Sequence, residues 1–125
     1  MEKVLLVDDE STVRTTLAAY LEDEGLEVVP AESAEDALRI VERDGPFGVC
    51  IMDMRLPGMD GHDAIIALHM RLPQLCFLIH TGSLSYGLTD DLLALGITEE
   101  RLFRKPLQDM AALAATVRSL LGGGQ

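Results

Sequence analysis

The chain has 125 residues, of which 48% are hydrophobic and 25% are charged, as expected for one globular domain with a sizeable core. Its net charge is −11, from 10 basic and 21 acidic residues, and such a surface repels nucleic-acid backbones, so no direct nucleic-acid binding is expected. No apolar stretch approaches the roughly 18 residues that a membrane span needs, and no signal peptide is recognisable, so we expect a cytoplasmic protein without membrane contact.

Short apolar runs alternate with amphipathic stretches along the whole chain. The apolar runs predict strands at 3–7, 26–29, 48–52, 75–80 and 101–104. The amphipathic stretches predict helices at 11–24, 33–44, 61–71, 85–95 and 110–121. Gly25 stops the first helix, Ser33 caps the second, and Pro30 ends the second strand. Gly87 and the polar residues at 89–91 weaken the fourth helix, which we expect to be short.

The strict alternation of strand and helix predicts an α/β fold, a parallel sheet with helices on both faces. The first, third and fourth strands are the most uniformly apolar, so we expect them at the centre of the sheet. Right-handed crossover connections then leave only a few topologies.

The cysteines and histidines do not favour a disulfide or a zinc site. Cys50 and Cys76 lie in apolar runs without C-x-x-C spacing, so reduced thiols are expected. The histidines at 62, 69 and 80 show no i,i+4 pairing, and zinc is therefore not expected.

Polar side chains follow four of the five predicted strands. They are Asp8 and Asp9, Asp53, Thr81 and Lys105. Each has a simple structural explanation alone, as a helix cap, a turn former or a surface charge. The carboxyl ends of parallel strands, however, lie at one edge of the sheet, where ligands bind in open α/β folds. We therefore expect these residues to form one site.

The residue types at this edge predict phosphoryl chemistry. Two carboxylates at about 4 Å repel by about 4 kcal/mol at an effective dielectric constant of about 20, so three of them need a compensating cation. Oxygen ligands alone favour a hard ion such as Mg²⁺, which partners phosphate, and a lysine and a hydroxyl would bind phosphate oxygens. A carboxylate can itself accept the phosphoryl group, and Asp53, alone on a central strand, is best placed.

These motifs closely resemble the receiver (CheY-like) domain of bacterial two-component response regulators. The resemblance rests on Asp8-Asp9, on the D-x-x-L-P-x-x-D-G sequence from Asp53 to Gly61, on Thr81-Gly82 and on Lys105-Pro106. It covers essentially the whole chain. It implies a flavodoxin-like (βα)5 fold with strand order 2-1-3-4-5, and a receiver domain over residues 1–121 with a flexible Gly-rich tail at 122–125.

The resemblance also implies residue roles. Asp53 is the expected phosphoacceptor, receiving the group from a kinase phosphohistidine. Asp9, Asp53 and the backbone carbonyl of Arg55 are the expected Mg²⁺ ligands, with Asp8 acting largely through water.

Further roles implied by the resemblance concern the later strands. Lys105 contacts the phosphoryl oxygens and precedes a cis peptide to Pro106. Thr81 is the switch hydroxyl that moves onto the phosphoryl group. Arg55 and Ser83 flank that group and tune its lifetime.

The implied function is that of a signalling module, with self-catalysed phosphorylation and dephosphorylation at most. Its partners would be a sensor histidine kinase or phosphotransfer protein, and a downstream effector protein or domain. The surface of helix 4, strand 5 and helix 5 would serve output and dimerisation. The sequence does not distinguish a stand-alone regulator from part of a longer protein.

Departures from the family pattern leave one alternative open. The aromatic residue expected three positions before Lys105 is replaced by Leu102, with Phe103 one residue later. Phe103 is then either core packing, which we favour, or a shifted reporter of phosphorylation. Together with a weak fourth helix, this suggests a receiver-like interaction module that works without phosphorylation. The connection at 96–100 is also lengthened, by about two residues, which surface loops tolerate.

Two other functions, a phosphatase activity and dinucleotide binding, fit the sequence less well. A phosphatase with an aspartyl nucleophile needs D-x-D spacing after strand 1, which Asp8-Asp9-Glu10 lacks. Dinucleotide binding needs a Gly-rich turn at the same place, which is also missing.

Overall fold

The computed structural model describes residues 3–82 and 87–122, in which strands and helices alternate. The strands are β1 (Lys3–Val7), β2 (Val28–Ala31), β3 (Phe47–Met52), β4 (Cys76–Thr81) and β5 (Leu102–Arg104). The helices are α1 (Ser11–Asp23), α2 (Ala34–Asp44), α3 (Gly61–Arg71), α4 (Asp90–Ala94) and α5 (Met110–Leu121). A short 3-10 turn, Glu99–Arg101, precedes β5. Within this described part, no helix is long and apolar enough to cross a membrane.

All strand pairs are parallel, in the order β2-β1-β3-β4-β5. The predicted α/β fold, its strand order and the central position of β1, β3 and β4 are therefore confirmed. All six residues of β3 are buried, because helices cover both faces of the sheet.

Two hydrophobic clusters separate the faces of the sheet. One cluster contains buried residues of α2, α3 and α4, such as Ala37, Ile65 and Leu92. The other contains buried residues of α1 and α5, such as Leu17 and Leu113. Successive strand residues point to opposite faces, so each strand contributes alternately to the two clusters.

The prediction that Pro30 ends the second strand is wrong. Pro30 lies inside β2 and pairs with Leu6, and the strand continues to Ala31. β2 is at the edge of the sheet, where a residue without a backbone N–H is tolerated because its outer side needs no ladder bond.

The helix ends explain several predicted boundaries. Ser33 caps α2 as predicted, since its Oγ accepts a hydrogen bond from the Asp36 N–H at 3.0 Å. Asp60 caps α3 in the same way through the Asp63 N–H at 2.9 Å. Gly25 follows α1 with a φ of 89°, a left-handed conformation in which glycine has no steric cost.

The fourth helix is short, as expected, but it begins later than predicted. Gly87 to Thr89 are not helical, and α4 starts at Asp90, so the predicted start at Ser85 is wrong for the part that is described. Residues 85 and 86 lie outside the described residues. Glycine loses most backbone freedom in a helix, and the short polar side chains of Thr89 and Asp90 favour caps over helix interiors.

Leu102 and Phe103, which are neighbours on β5, face opposite sides of the sheet. Leu102 packs against the cluster of α2, α3 and α4, whereas Phe103 packs against the cluster of α1 and α5. This placement supports the interpretation of Phe103 as core packing. Both cysteines are free, with Cys50 buried and Cys76 half-buried.

Candidate functional site

The carboxyl ends of the strands bring the predicted residues to one edge of the sheet. Backbone hydrogen bonds extend the ladder past the strand ends and fix these residues in place. The Asp53 N–H donates to the carbonyl of Val7 at 3.0 Å, and the Lys105 N–H donates to the carbonyl of Thr81 at 2.9 Å. The positions of the side chains therefore follow directly from the parallel register.

One ammonium group connects three carboxylates at this edge. Lys105 Nζ lies 2.9 Å from Asp8 Oδ2, 2.8 Å from Glu10 Oε1 and 3.3 Å from Asp53 Oδ2. Asp8 is 1% exposed and Asp53 is 3% exposed, whereas the Glu10 side chain is 59% exposed. Two buried carboxylates thus share a single cation, an arrangement that leaves their negative charge incompletely compensated.

The electrostatic environment affects each group differently. Burial raises the pKa of Asp53, and hydrogen bonds from the Arg55 N–H and Lys105 offset this only in part. For Lys105, burial lowers the pKa, but hydrogen bonds to Glu10 and Asp8 raise it more, so the net shift is upward. The hydrogen bond from Lys105 also lowers the pKa of Glu10. The ammonium therefore stays charged, while the negative charge of Asp53 is disfavoured by its burial.

A metal ion could be held by Asp8, Glu10 and Asp53, because one ligand oxygen from each lies within 4.8 Å of the others. All three ligands are carboxylate oxygens, and the charge of the two buried carboxylates is incompletely compensated. Such a group fits a hard divalent cation. The structure does not bring Asp9 into this group, and its side chain is exposed.

Glu10 is a site residue that sequence reasoning missed. The chain turns after β1, where the Glu10 N–H donates to Asp8 Oδ1 at 2.9 Å, and the Glu10 side chain then reaches Lys105. Because residues 8–10 lie in this turn and not in β1, the two-residue period of a strand does not apply to them, and no signal in the sequence marks Glu10 instead of Asp9.

The loop after β3 is held by hydrogen bonds on both sides of its turn. The Arg55 N–H donates to Asp53 Oδ1 at 3.2 Å, and the Met59 N–H donates to Glu35 Oε2 at 3.1 Å. At Gly61 a Cβ atom would come within 2.6 Å of Met54 Cα, so only glycine permits this approach of α3 to the end of β3. These contacts fix the segment whose Arg55 carbonyl is the predicted metal ligand.

The remaining predicted residues complete the edge. Thr81 is fully buried at the end of β4, and the Lys105–Pro106 peptide is cis, as the resemblance implied. Ser83 lies outside the described residues. The edge thus combines a carboxylate with a disfavoured charge, a neighbouring ammonium and a set of oxygens able to hold a metal, which together suit an aspartyl nucleophile for phosphoryl transfer.

Comparison with known proteins gives consistent matches over nearly the whole chain. A family model for the response regulator receiver domain matches residues 4–118. The response regulator protein FleR of Pseudomonas aeruginosa is 35% identical over 123 residues, which cover 96% of this chain and 25% of FleR. The chain spans about a quarter to about half the length of the curated relatives that it matches.

Solved structures agree with the sequence matches. A response regulator receiver domain protein from Clostridium thermocellum is 30% identical, with a TM-score of 0.80 and coverage of 98% of this chain and 95% of that one. The response regulator TrrA from Thermotoga maritima, in complex with Mg(2+)-BeF, is 25% identical, with a TM-score of 0.79 and coverage of 96% and 99%.

Proposed function

Because this chain belongs to the receiver domain family of two-component response regulators, we propose that Asp53 accepts a phosphoryl group and thereby switches a partner-binding surface. Receiver domains of this kind are signalling modules rather than conventional enzymes. The observation that carries the proposal is the contact of Lys105 Nζ with Asp53 Oδ2, at 3.3 Å, beside the buried carboxylate of Asp8.

The chemical step is a transfer from a phosphohistidine donor. A carboxylate oxygen of Asp53 attacks the phosphorus atom, so that a P–O bond forms as the P–N bond breaks. The electron pair of the broken bond stays on the donor imidazole, which takes up a proton. The Lys105 ammonium lies where it can bind a phosphoryl oxygen, and the Arg55 N–H holds the second oxygen of Asp53.

We further propose that the divalent ion is Mg²⁺, held by Asp8, Glu10 and Asp53. Asp9 and the Arg55 carbonyl remain the ligands that the family resemblance implies. When bound, Mg²⁺ would neutralise the carboxylates and the phosphoryl oxygens. The complex of TrrA with Mg(2+)-BeF and the hard, all-oxygen donor set support this assignment.

The proposed switch links the site to the surface of α4, β5 and α5. Thr81 ends β4 and Lys105 follows β5. New charge-assisted contacts of these two residues with a phosphoryl group would therefore favour one conformation at the ends of both strands. Output and dimerisation through this surface follow as proposals. We place the receiver domain at residues 1–121; of the tail expected at 122–125, residues 123–125 lie outside the described residues.

The proposed partners follow from the family. Upstream is a sensor histidine kinase or phosphotransfer protein in the cytoplasm, and downstream is an effector protein or domain. Relatives such as FixJ of Azorhizobium caulinodans are named transcriptional regulators, but the net charge of −11 argues that this part of such a protein does not itself contact nucleic acid.

One alternative is a receiver-like module that works without phosphorylation. Leu102 at the position of the family's aromatic residue, together with the five-residue α4, favours it. The intact set of Asp8, Asp53, Thr81 and Lys105 favours the phosphorylated switch, because a binding module needs none of them.

The experiment that tests the proposal uses acetyl phosphate as the donor. The chain is incubated with it in the presence of Mg²⁺ or of EDTA, and its intact mass is measured. We expect a gain of one phosphoryl group with Mg²⁺ and none with EDTA. Asp23→Asn, an exposed change at the end of α1, serves as a control and should be phosphorylated like the wild type. A folded chain that gains no phosphoryl group with Mg²⁺ would support the alternative.

A further inference from the structure

The backbone carbonyl of Asp8 lies where β1 leaves the sheet. A bond from the Asp53 N–H to the carbonyl of Val7 continues the ladder of β1 and β3, one residue earlier, and the Asp8 N–H donates to the carbonyl of Ala31 at 3.1 Å. Within residues 3–82 and 87–122, no backbone N–H donates to the Asp8 carbonyl. Asp8 is 1% exposed, and a buried carbonyl without a hydrogen bond costs free energy.

Arg14, on α1, supplies the donor that the ladder does not. Its Nη1 donates to the Asp8 carbonyl at 2.7 Å, and its own backbone N–H donates to the carbonyl of Glu10 at 2.9 Å. A charged donor makes a stronger hydrogen bond than a neutral one. The two bonds hold both ends of the turn at residues 8–10 against the first turns of α1.

The charge of Arg14 is not used in an ion pair. The carboxylates of Asp8 and Glu10 lie against the Lys105 ammonium instead, at 2.9 Å and 2.8 Å. In the part of the chain that the structure describes, Arg14 forms no ion pair with either of them. Arg14 therefore holds the backbone of the turn and leaves both carboxylates available to Lys105 and to a metal ion.

We infer that Arg14 is a positioning residue for the metal site, because its bond to the Asp8 carbonyl fixes the turn whose carboxylates would hold Mg²⁺. The inference rests on the metal site of the proposed function. A second possibility is that Arg14 acts only through its charge.

The two possibilities predict opposite effects of removing the guanidinium. A nearby positive charge repels Mg²⁺, so the loss of charge alone would tighten Mg²⁺ binding. The loss of the hydrogen bond would free the turn, and binding would then have to order the ligands at a cost in conformational entropy. Positioning therefore predicts weaker binding in spite of the lost repulsion.

The first part of the test is an NMR titration of the ¹⁵N-labelled chain with MgCl₂ at constant ionic strength. Arg14→Met should weaken Mg²⁺ binding at least about threefold, within the range of one hydrogen bond. Arg14→Lys keeps the charge and a donor on a shorter side chain, so its affinity should lie between those of Arg14→Met and the wild type. Arg14→Gln lacks the charge and is also shorter, and it should behave like Arg14→Met. Arg14→Gln carries the test if Arg14→Met does not fold.

The second part of the test needs no metal. Backbone ¹⁵N order parameters of the Mg²⁺-free chain, which report motion on the ps–ns timescale, should fall at Asp9 and Glu10 in Arg14→Met. They should fall less in Arg14→Lys and should stay unchanged in the five strands.

Arg43→Met is the matched control for the lost charge. Arg43 is exposed and pairs with Asp44 at 2.9 Å, and the carbonyl of Asp44 accepts a hydrogen bond from Lys3 at the start of β1, the edge of the sheet opposite the site. Arg43→Met should bind Mg²⁺ like the wild type and keep the order parameters of the turn.

The outcomes separate this inference from the proposed function. If the wild type binds Mg²⁺ and Arg14→Met binds it equally or more tightly, the positioning role is overturned while the metal site stands. Unchanged order parameters at Asp9 and Glu10 in Arg14→Met would overturn it as well. A wild-type chain that binds no Mg²⁺ would overturn the proposed metal site and this inference together.

Discussion

At the scale of single residues, Lys105 determines how the site is held together before phosphorylation. Its ammonium contacts Asp8, Glu10 and Asp53, and the first and last of these carboxylates are buried. One positive charge cannot balance three negative ones, so a divalent ion that binds the folded chain should stabilise it.

The first prediction concerns which acidic residue completes the metal site. Mg²⁺ at about 100 times its dissociation constant should raise the free energy of unfolding by about 2.7 kcal/mol. Glu10→Gln should reduce this increment if Glu10 is a ligand, as the geometry suggests, because a neutral amide binds Mg²⁺ less strongly than a carboxylate. Urea unfolding at matched ionic strength, with and without Mg²⁺, measures the effect.

Asp9→Asn is the matched comparison for that experiment. It removes the neighbouring acidic charge from an exposed position that the family resemblance, but not the structural cluster, assigns to the metal. If Asp9→Asn abolishes the Mg²⁺ increment while Glu10→Gln preserves it, the cluster of Asp8, Glu10 and Asp53 is the wrong ligand set.

The second prediction concerns the cost of the buried imidazole. His80→Leu replaces two buried nitrogens that lack partners among the described residues with apolar surface of similar volume. Such a change should raise the free energy of unfolding by about 1 kcal/mol. Urea unfolding of the ligand-free chain checks this, with His69→Leu as a control that should change stability by no more than about 0.5 kcal/mol. A clear loss of stability in His80→Leu would mean that the imidazole makes favourable contacts.

At the scale of elements, the shortest helix is connected to α3 by side chains. His62 Nε2 of α3 lies 2.9 Å from Asp91 Oδ2 of α4. Asp91 Oδ1 in turn accepts hydrogen bonds from the Thr89 hydroxyl and the Leu92 N–H. Leu92 is fully buried, so its side chain and the His62–Asp91 pair both attach α4 to its neighbours.

The third prediction is a pH dependence of this connection. Burial lowers the pKa of His62, but hydrogen bonds with Asp63 and Asp91 raise it more, and the net shift is upward. The stabilisation that the charged His62 imidazole contributes is therefore fully present below the unfolded pKa of about 6.5. It is lost as the pH rises through the higher pKa of the folded state. The His62 side chain is 33% exposed, so the effect should not exceed about 1 kcal/mol.

Amide hydrogen exchange in α4 measures this dependence. Protection factors at Leu92 and Leu93, corrected for intrinsic exchange rates, should fall as the pH rises from about 6 to about 8. His62→Gln should remove the change, whereas His69→Gln should retain it. Protection that falls equally in wild type and His62→Gln would rule out the His62–Asp91 pair as its cause.

At the scale of the whole molecule, the sequence predicted the fold well because its strands are buried on both faces. Uniformly apolar runs such as β1 and β3 are easily recognised, and their order follows from the parallel crossovers and the family resemblance. The limits of β2 were missed because an edge strand accepts Pro30. The start of α4 was missed because an apolar periodicity around Gly87 does not outweigh its cost in a helix.

The candidate site was predictable in its outline but not in its details. The parallel topology places Asp53, Thr81 and Lys105 at one edge of the sheet, independently of their side-chain conformations. Which of two adjacent acids reaches the Lys105 ammonium depends on the turn after β1, and that choice between Asp9 and Glu10 is invisible in composition or motif.

The central claim is that Asp53 is the residue that carries the phosphoryl group, and chemical trapping tests it most directly. Borohydride reduces an aspartyl phosphate to homoserine, so peptide mapping after treatment with acetyl phosphate and Mg²⁺ identifies the modified position. We predict homoserine at position 53, and no modification in Asp53→Ala, which should remain folded. Homoserine at position 8 or 9, or full phosphorylation of Asp53→Ala, would contradict the claim.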